Sequence, residues 1–158
     1  MGRRVPVLVI VVAASIVLVA AVAAWYPQWA VAIVVRTERS DYLPGESVSF
    51  TLTLTVEGNR PVTASPSPGP RCGNVYYVVE DEAGRTIYPA VGGLGNCPLI
   101  TVRLLQPGDT LAWNSTWNQV NSSGFPVPAG HRYGILGVFR DRVVHVFASP
   151  VWVFVKPA

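Results

Sequence analysis

The sequence predicts an all-β antiparallel sandwich, preceded by one N-terminal transmembrane helix or signal segment. Three observations carry this. A nine-residue stretch, Val48–Val56, alternates apolar and polar residues without a break. Short apolar runs recur along residues 30–158, most of them separated by Pro- or Gly-containing turns, and no convincing amphipathic helix interrupts them. The first 29 residues hold only two charges, Arg3 and Arg4, ahead of an uncharged run of 21 residues from Val5 to Trp25.

That run is long enough to cross a bilayer. At about 1.5 Å of helical rise per residue it reaches the roughly 30 Å of a hydrocarbon core. Arginines on its N-terminal side favour a cytoplasmic N-terminus, which places everything after Trp25 outside. Trp25, Tyr26 and Trp29 cluster where the run would meet the headgroup layer, as aromatic rings do. The alternative is secretion after cleavage near Ala23, because Ala21-Val22-Ala23 offers small residues at the spacing a signal peptidase requires. The run exceeds the about 7–15 residues of an ordinary signal core, which favours a retained anchor through residues 5–25. Both readings give a segment at 1–29 and an extracytoplasmic domain at 30–158. N-myristoylation is unsupported, since Pro6 stands where Ser or Thr is required.

Composition limits the function. The chain has 158 residues, 50% of them hydrophobic and 13% charged, which excludes a disordered polymer. Ten of the twelve basic residues lie in the domain, against all nine acidic ones, so the pI near 9.1 largely reflects Arg3 and Arg4. A nucleic-acid partner is therefore not expected.

The elements follow in order. A first strand is expected over Ala30–Arg36, then a turn at Leu43-Pro44-Gly45-Glu46. Val48–Val56 is the firmest strand, because a period of two places Val48, Phe50, Leu52, Leu54 and Val56 on one face and Ser49, Thr51, Thr53 and Thr55 on the other. Val75–Glu80 turns at Asp81-Glu82-Ala83-Gly84 and returns through Arg85–Tyr88. Leu99–Leu105, Thr110–Trp117, Arg132–Phe139, Val143–Phe147 and Val151–Val155 complete seven to nine strands. Thr63–Pro70 and Ala90–Pro98 read as loops, being rich in Pro and Gly. The last strand is apolar on both faces: it is either covered on both sides, exposes Trp152 and Phe154, or forms an edge that pairs with another chain.

Each of those two loops leads to a cysteine. Cys72 and Cys97 are the only two in the chain, and outside the cytoplasm they are expected to pair. Closing a loop of about 26 residues would restrict the unfolded chain by roughly 3.5 kcal/mol. Two unpaired buried thiols are the alternative.

The final third carries a family pattern. Leu105-Gln106-Pro107-Gly108-Asp109 is followed by Trp117-Asn118-Gln119 and then by Gly124-Phe125-Pro126-Val127-Pro128-Ala129-Gly130-His131-Arg132-Tyr133. Together with Tyr42-Leu43-Pro44-Gly45-Glu46 and the hairpin Val78–Ile87, this resembles the BsuPI-type intracellular proteinase inhibitor domain over about residues 30–140. The resemblance implies an immunoglobulin-like sandwich in which Trp117, Gly124, Pro126, Pro128, Gly130 and Tyr133 are structural, and it implies inhibition of a serine proteinase. The chain departs from the pattern in its export segment and its cysteine pair.

A substrate-like inhibitor needs a stiff convex loop offering one side chain to a protease pocket. Pro68-Gly69-Pro70-Arg71-Cys72-Gly73 has those materials, with Pro70 stiffening the loop and Arg71 as the primary side chain. An ordinary surface loop with a solvated arginine is the competing reading. Asn114-Ser115-Thr116 and Asn121-Ser122-Ser123 match the N-glycosylation pattern, with Asn121 the better placed because Asn114 falls inside a strand.

No catalytic constellation is expected. Glu80-Asp81-Glu82 reads as a solvated hairpin turn, because a calcium site needs six or more oxygens around one point. Gly92-Gly93-Leu94-Gly95 is followed by Asn96-Cys97-Pro98 where a phosphate cradle would require a helix N-terminus. His131 and His145 have no partner at ligand spacing, and no Gly-x-Ser-x-Gly nucleophile motif occurs. The expectation is a binding domain without catalysis, cofactor or metal, whose partner is an unidentified protein. A serine proteinase is one class of partner. Self-association of a structural or adhesive envelope module through edge strands is the other.

Overall fold

Alternation along Val48–Val56 organises the molecule, since the strand it forms lies at the centre of one sheet and its apolar stripe meets the other. The computed structural model describes residues 30–66, 73–88, 101–142 and 144–157. Among these residues the strands are β1 (Val31–Thr37), β2 (Asp41–Tyr42), β3 (Val48–Val56), β4 (Val62–Ala64), β5 (Val75–Asp81), β6 (Thr86–Tyr88), β7 (Arg103–Leu105), β8 (Thr110–Trp117), β9 (His131–Arg140), β10 (His145–Phe147) and β11 (Val151–Val155).

They form two facing sheets and a small ribbon. The first sheet runs β1-β3-β8 and the second β2-β11-β9-β5-β6, with β10 also paired to β9; β4 and β7 make the ribbon. Every pairing is antiparallel except that of β2 with β11. With β1, β3 and β8 as strands A, B and E, and β11, β9, β5 and β6 as G, F, C and C′, the order is that of an immunoglobulin-like sandwich. β2 then continues the first strand after it has crossed to the second sheet.

The core lies between the sheets. Val48, Phe50, Leu52, Leu54 and Val56 are all buried against Tyr77, Ile135, Phe139 and Val153 from the opposite sheet, each contributing about 1.5–3 kcal/mol through the apolar area it removes from water. The sheets come close together at Gly137, where a Cβ would stand 2.8 Å from both Ile33 Cδ1 and Leu52 Cδ2. At the start of β9 the Tyr133 hydroxyl donates to the Pro128 carbonyl at 2.8 Å, the tyrosine-corner contact that secures the crossover between sheets in this fold class.

Most expected strands are present within a residue or two. Thr110–Trp117 and Val151–Val155 match at both ends, whereas the strand expected over Arg85–Tyr88 starts at Thr86 and that over Arg132–Phe139 extends one residue each way. Of Leu99–Leu105 only Arg103–Leu105 is strand among the described residues, and of Val143–Phe147 only His145–Phe147. Two expectations are corrected. Thr63–Pro70 is not loop from its start, because Val62–Ala64 pairs with Arg103–Leu105; three residues are too few to show a period. β2 also went unread, since its two residues owe their strand to Phe154 and Val155 beside them.

β11 is not a bare edge: β9 pairs along all of it and β2 along Phe154 and Val155. Its outer face carries Trp152, 41% exposed. No helix among the described residues is long and apolar enough to cross a membrane, and the segment expected at 1–29 lies outside them.

Two substitutions test this packing. Gly137→Ala should lower unfolding free energy by about 1–3 kcal/mol through overpacking between the sheets. Tyr133→Phe, which keeps the ring and deletes the corner hydrogen bond, should cost about 1–2 kcal/mol. Urea denaturation reads both; wild-type midpoints for the two variants would count against a close inter-sheet contact and a working corner.

Candidate functional site

The residues that carry the family pattern converge on one corner of the sandwich. Trp117 ends β8 almost fully buried, its indole N–H donating to the Val120 carbonyl at 2.9 Å and its ring meeting Tyr133 edge-on at 5.4 Å. Gly124 (φ 82°) closes a turn in which its N–H donates to the Asn121 carbonyl at 2.9 Å. Pro126 forms an isolated bridge with Val120, and Gly130 (φ 80°) donates its N–H to the Val155 carbonyl at 2.7 Å. Positive φ is tolerated at Gly124 and Gly130 because neither has a Cβ to clash with the backbone.

Gln119 holds this corner to the start of the domain, and the sequence did not single it out. It is 2% exposed and adopts φ 56°, a left-handed conformation uncommon for a residue with a side chain. Its amide Nε2 donates to the Leu43 carbonyl at 2.8 Å while its Oε1 accepts from the Gly45 N–H at 2.9 Å, and its own carbonyl accepts from the Val127 N–H at 2.8 Å. One side chain thus ties the Leu43–Glu46 turn to residues 119–127. A polar residue in a polar segment gives no periodic signal, so only its spacing after Trp117 could have drawn attention to it.

Beside the corner lies an open groove of about 510 Å³. One wall is the β5–β6 hairpin with Asp81, Glu82, Ala83, Arg85 and Ile87; the other is Asn121, Val127, Pro128, His131, Arg132 and Tyr133. Two ties hold the walls together. The Ser122 N–H and hydroxyl both donate to the Ile87 carbonyl, at 2.8 and 2.7 Å, and the Arg132 N–H donates to Glu82 Oε1 at 3.1 Å. Ala83, Ile87, Val127 and Pro128 supply an apolar lining bordered by both signs of charge, the composition of a ligand-binding cleft. Phe125, 67% exposed, projects from the turn beside Asn121.

The hairpin wall is braced electrostatically. Asp81 accepts from the Arg85 guanidinium at 2.7 Å and from the backbone N–H groups of Ala83 and Arg85, each at 3.0 Å. The Arg85 side chain, then these N–H groups, hold its carboxyl below the usual aspartate range. At the same end of the sandwich Glu46 pairs with Arg39 and accepts from the Leu43 N–H at 2.9 Å, which likewise lowers its pKa. Burial chiefly, then the nearby charges of Asp81 and Glu82, raise the pKa of the Tyr133 phenol and keep it a donor.

Of the other sequence-predicted residues that are described, Asn121 lies on the groove wall and Asn114 away from it. Asn114 sits on the exposed outer face of β8, where its Oδ1 accepts from the Thr51 hydroxyl at 2.9 Å. Asn121 is half-buried on the groove wall and accepts through Oδ1 from the Ser123 and Phe125 N–H groups at 2.9 and 3.1 Å. Pro70, Arg71, Cys72 and Cys97 fall outside the described residues. No group of three or more His, Cys, Asp or Glu side chains among the described residues could hold a metal ion.

The order and register define an immunoglobulin-like sandwich with a lateral groove. No protein-family model matches the chain, and no curated protein matches it in sequence. Solved structures do. A CARDB domain of the PF1109 protein from Pyrococcus furiosus, solved in complex with di-metal ions, is 11% identical, with a TM-score of 0.51 over 84% of this chain and 97% of that one. The sporulation control protein Spo0M from Bacillus subtilis is 12% identical, with a TM-score of 0.50 over 82% of this chain and 50% of its own. A β-glucosidase from Erythrobacter marinus is 10% identical, with a TM-score of 0.50 over 80% of this chain. This chain spans 15% of that glucosidase and half of Spo0M. At such identities the likeness shows the fold alone.

Two outcomes follow from the site geometry. Gln119→Leu should cost about 1–3 kcal/mol and loosen the Leu43–Glu46 turn, read as faster amide exchange at Gly45. Because the folded pKa values of Asp81 and Glu46 are lowered, their stabilisation is present above the ordinary carboxylate range and is lost as pH falls through the folded values. The melting temperature should therefore drop between about pH 5 and pH 3, and Asp81→Asn should flatten that drop while lowering stability at neutral pH. An equal slope in the variant would remove Asp81 from this account.

Proposed function

We propose that this chain is a membrane-held, extracytoplasmic binding module that takes an extended segment of a partner protein into the groove between the β5–β6 hairpin and residues 119–133, and performs no catalysis. The observation that carries the reading is the groove itself. Its apolar lining offers area for side chains, its border offers Glu82, His131 and Arg132 for orientation, and its walls are hydrogen-bonded to each other, so little ordering is left for binding to impose. The uncharged run Val5–Trp25 behind Arg3 and Arg4 supports the location.

Inhibition of a serine proteinase is the second reading. It rests on the family pattern and on the loop Pro70-Arg71, which would act by offering a convex segment to a protease rather than by receiving one. Assembly through the edges of the three-stranded sheet, β1 and β8, is the structural alternative. A pairing of Cys72 with Cys97 suits all three.

Panning a displayed peptide library against the full chain in lipid nanodiscs tests the first reading. Enriched peptides should bind about tenfold more weakly to Ala83→Arg, which fills the groove from an exposed turn position; no enrichment, or equal binding to the variant, would rule the groove out. Inhibition of a trypsin-like enzyme that vanishes in Arg71→Ala would instead establish the second.

A further inference from the structure

The chain enters the sandwich at the end opposite the groove. The Ala30 carbonyl accepts from the Glu57 and Gly58 N–H groups, both at 2.9 Å, and the Val56 carbonyl accepts from the Gly108 N–H at 2.9 Å. The β4–β7 ribbon borders the same end: β7 runs into the Gln106–Asp109 turn, and the Thr63 carbonyl accepts from Asn74 Nδ2 at 2.6 Å. Asn74 in turn accepts from the Arg140 N–H at 2.7 Å, where β9 finishes. The chain's entry point, residues 102–109 and residues 140–142 thus border the same end of the sandwich. The hairpin after Asp81 lies at the other end, since β5 runs from Val75 beside Phe139 to Asp81 beside Tyr133.

This surface is unusual in two respects. Val102 and Leu104 are each 64% exposed and, being two apart, share one face, with the exposed Arg103 between them. Arg140 and Arg142 are exposed nearby. Of the three carboxylates at this end, Asp109 accepts from the Gln106 N–H at 2.8 Å and Asp141 from the Arg142 N–H at 2.6 Å, while Glu57 is exposed beside the entry point. Six of the nine acidic residues, Glu38, Asp41, Glu46, Glu80, Asp81 and Glu82, stand toward the opposite end.

Length supplies the occupant. Between Trp25, the last residue of the uncharged run, and Ala30 lie four residues, a tether of at most about 18 Å when fully extended. We propose that the entry end of the sandwich is a lipid-contacting surface that seats Val102 and Leu104 at the headgroup–acyl boundary of an anionic membrane while Arg140 and Arg142 pair with the headgroup phosphates. The inference rests on the anchored reading of residues 5–25. A tether of that length allows the arginines to come within the roughly 10 Å over which anionic lipids attract basic side chains before salt screens them. The seat also fixes orientation, since it points the groove away from the bilayer.

Hydrogen–deuterium exchange on the full chain tests this, in nanodiscs of phosphatidylcholine alone and of phosphatidylcholine with phosphatidylglycerol. Amides of residues 102–106 and 140–142 should exchange about fivefold more slowly with the anionic lipid, while those of the 81–86 hairpin stay unchanged. The double variants Val102→Asp/Leu104→Asp and Arg140→Glu/Arg142→Glu should lose the slowing, with β3 amides as protected as in wild type to show that the fold is intact. Equal exchange in both lipids by a chain retained in the discs would overturn the lipid seat alone. A chain recovered free of the discs would overturn the anchored reading and the seat with it.

Discussion

The close approach of β1 and β3 to β9 at Gly137 is the contact on which the rest of the structure depends. β3 puts a large apolar side chain inward at every second residue, and β9 answers with Tyr133, Ile135 and Phe139 but with Gly137 where Ile33 and Leu52 come nearest. A stripe of large residues on one side and a gap on the other brings the sheets to contact distance without a void. The inner faces of β1, β5, β8 and β11 then have a fixed surface to cover, and the strand order follows from which edges remain free.

What the corner does depends on that packing. Tyr133 occupies its position because it is the first inward residue of β9, and only from there can its hydroxyl reach Pro128 and its ring meet Trp117. The 119–130 segment is held at this anchored corner by side-chain-to-backbone bonds from Gln119, Asn121 and Ser122. Such bonds set loop geometry where no ladder is present. The groove is thus a by-product of two rigid neighbours, a hairpin braced by Asp81 and a turn region braced by Asn121.

Much of the sheet architecture was legible in the sequence because it is written in periods. Val48–Val56 alternates without error, and Thr110–Trp117 and Val151–Val155 are bounded by turn residues that stop pairing at their ends. Pro and Gly likewise marked the turns at residues 44–45, 107–108 and 124–130. What escaped depends on partners distant in sequence. β2 and β4 are strands only because Val155 and Leu105 run beside Tyr42 and Val62. Gln119 matters only because the Leu43–Gly45 turn folds back on it across more than seventy residues. The groove was illegible for the same reason, since its walls come from segments about forty residues apart whose proximity is created by the β5–β9 register.

The polarity proposed for the domain, with the exposed Arg140 and Arg142 toward lipid at one end and the groove toward a protein at the other, has meaning only if the sandwich stands on the outer surface of a membrane. The most direct measurement is the fate of an epitope placed after Ala158 in cells expressing the full chain. The account predicts that added protease removes the epitope from intact spheroplasts and that the chain stays in the membrane pellet after a carbonate wash. An epitope protected until lysis, on a chain found in the soluble fraction, would contradict it.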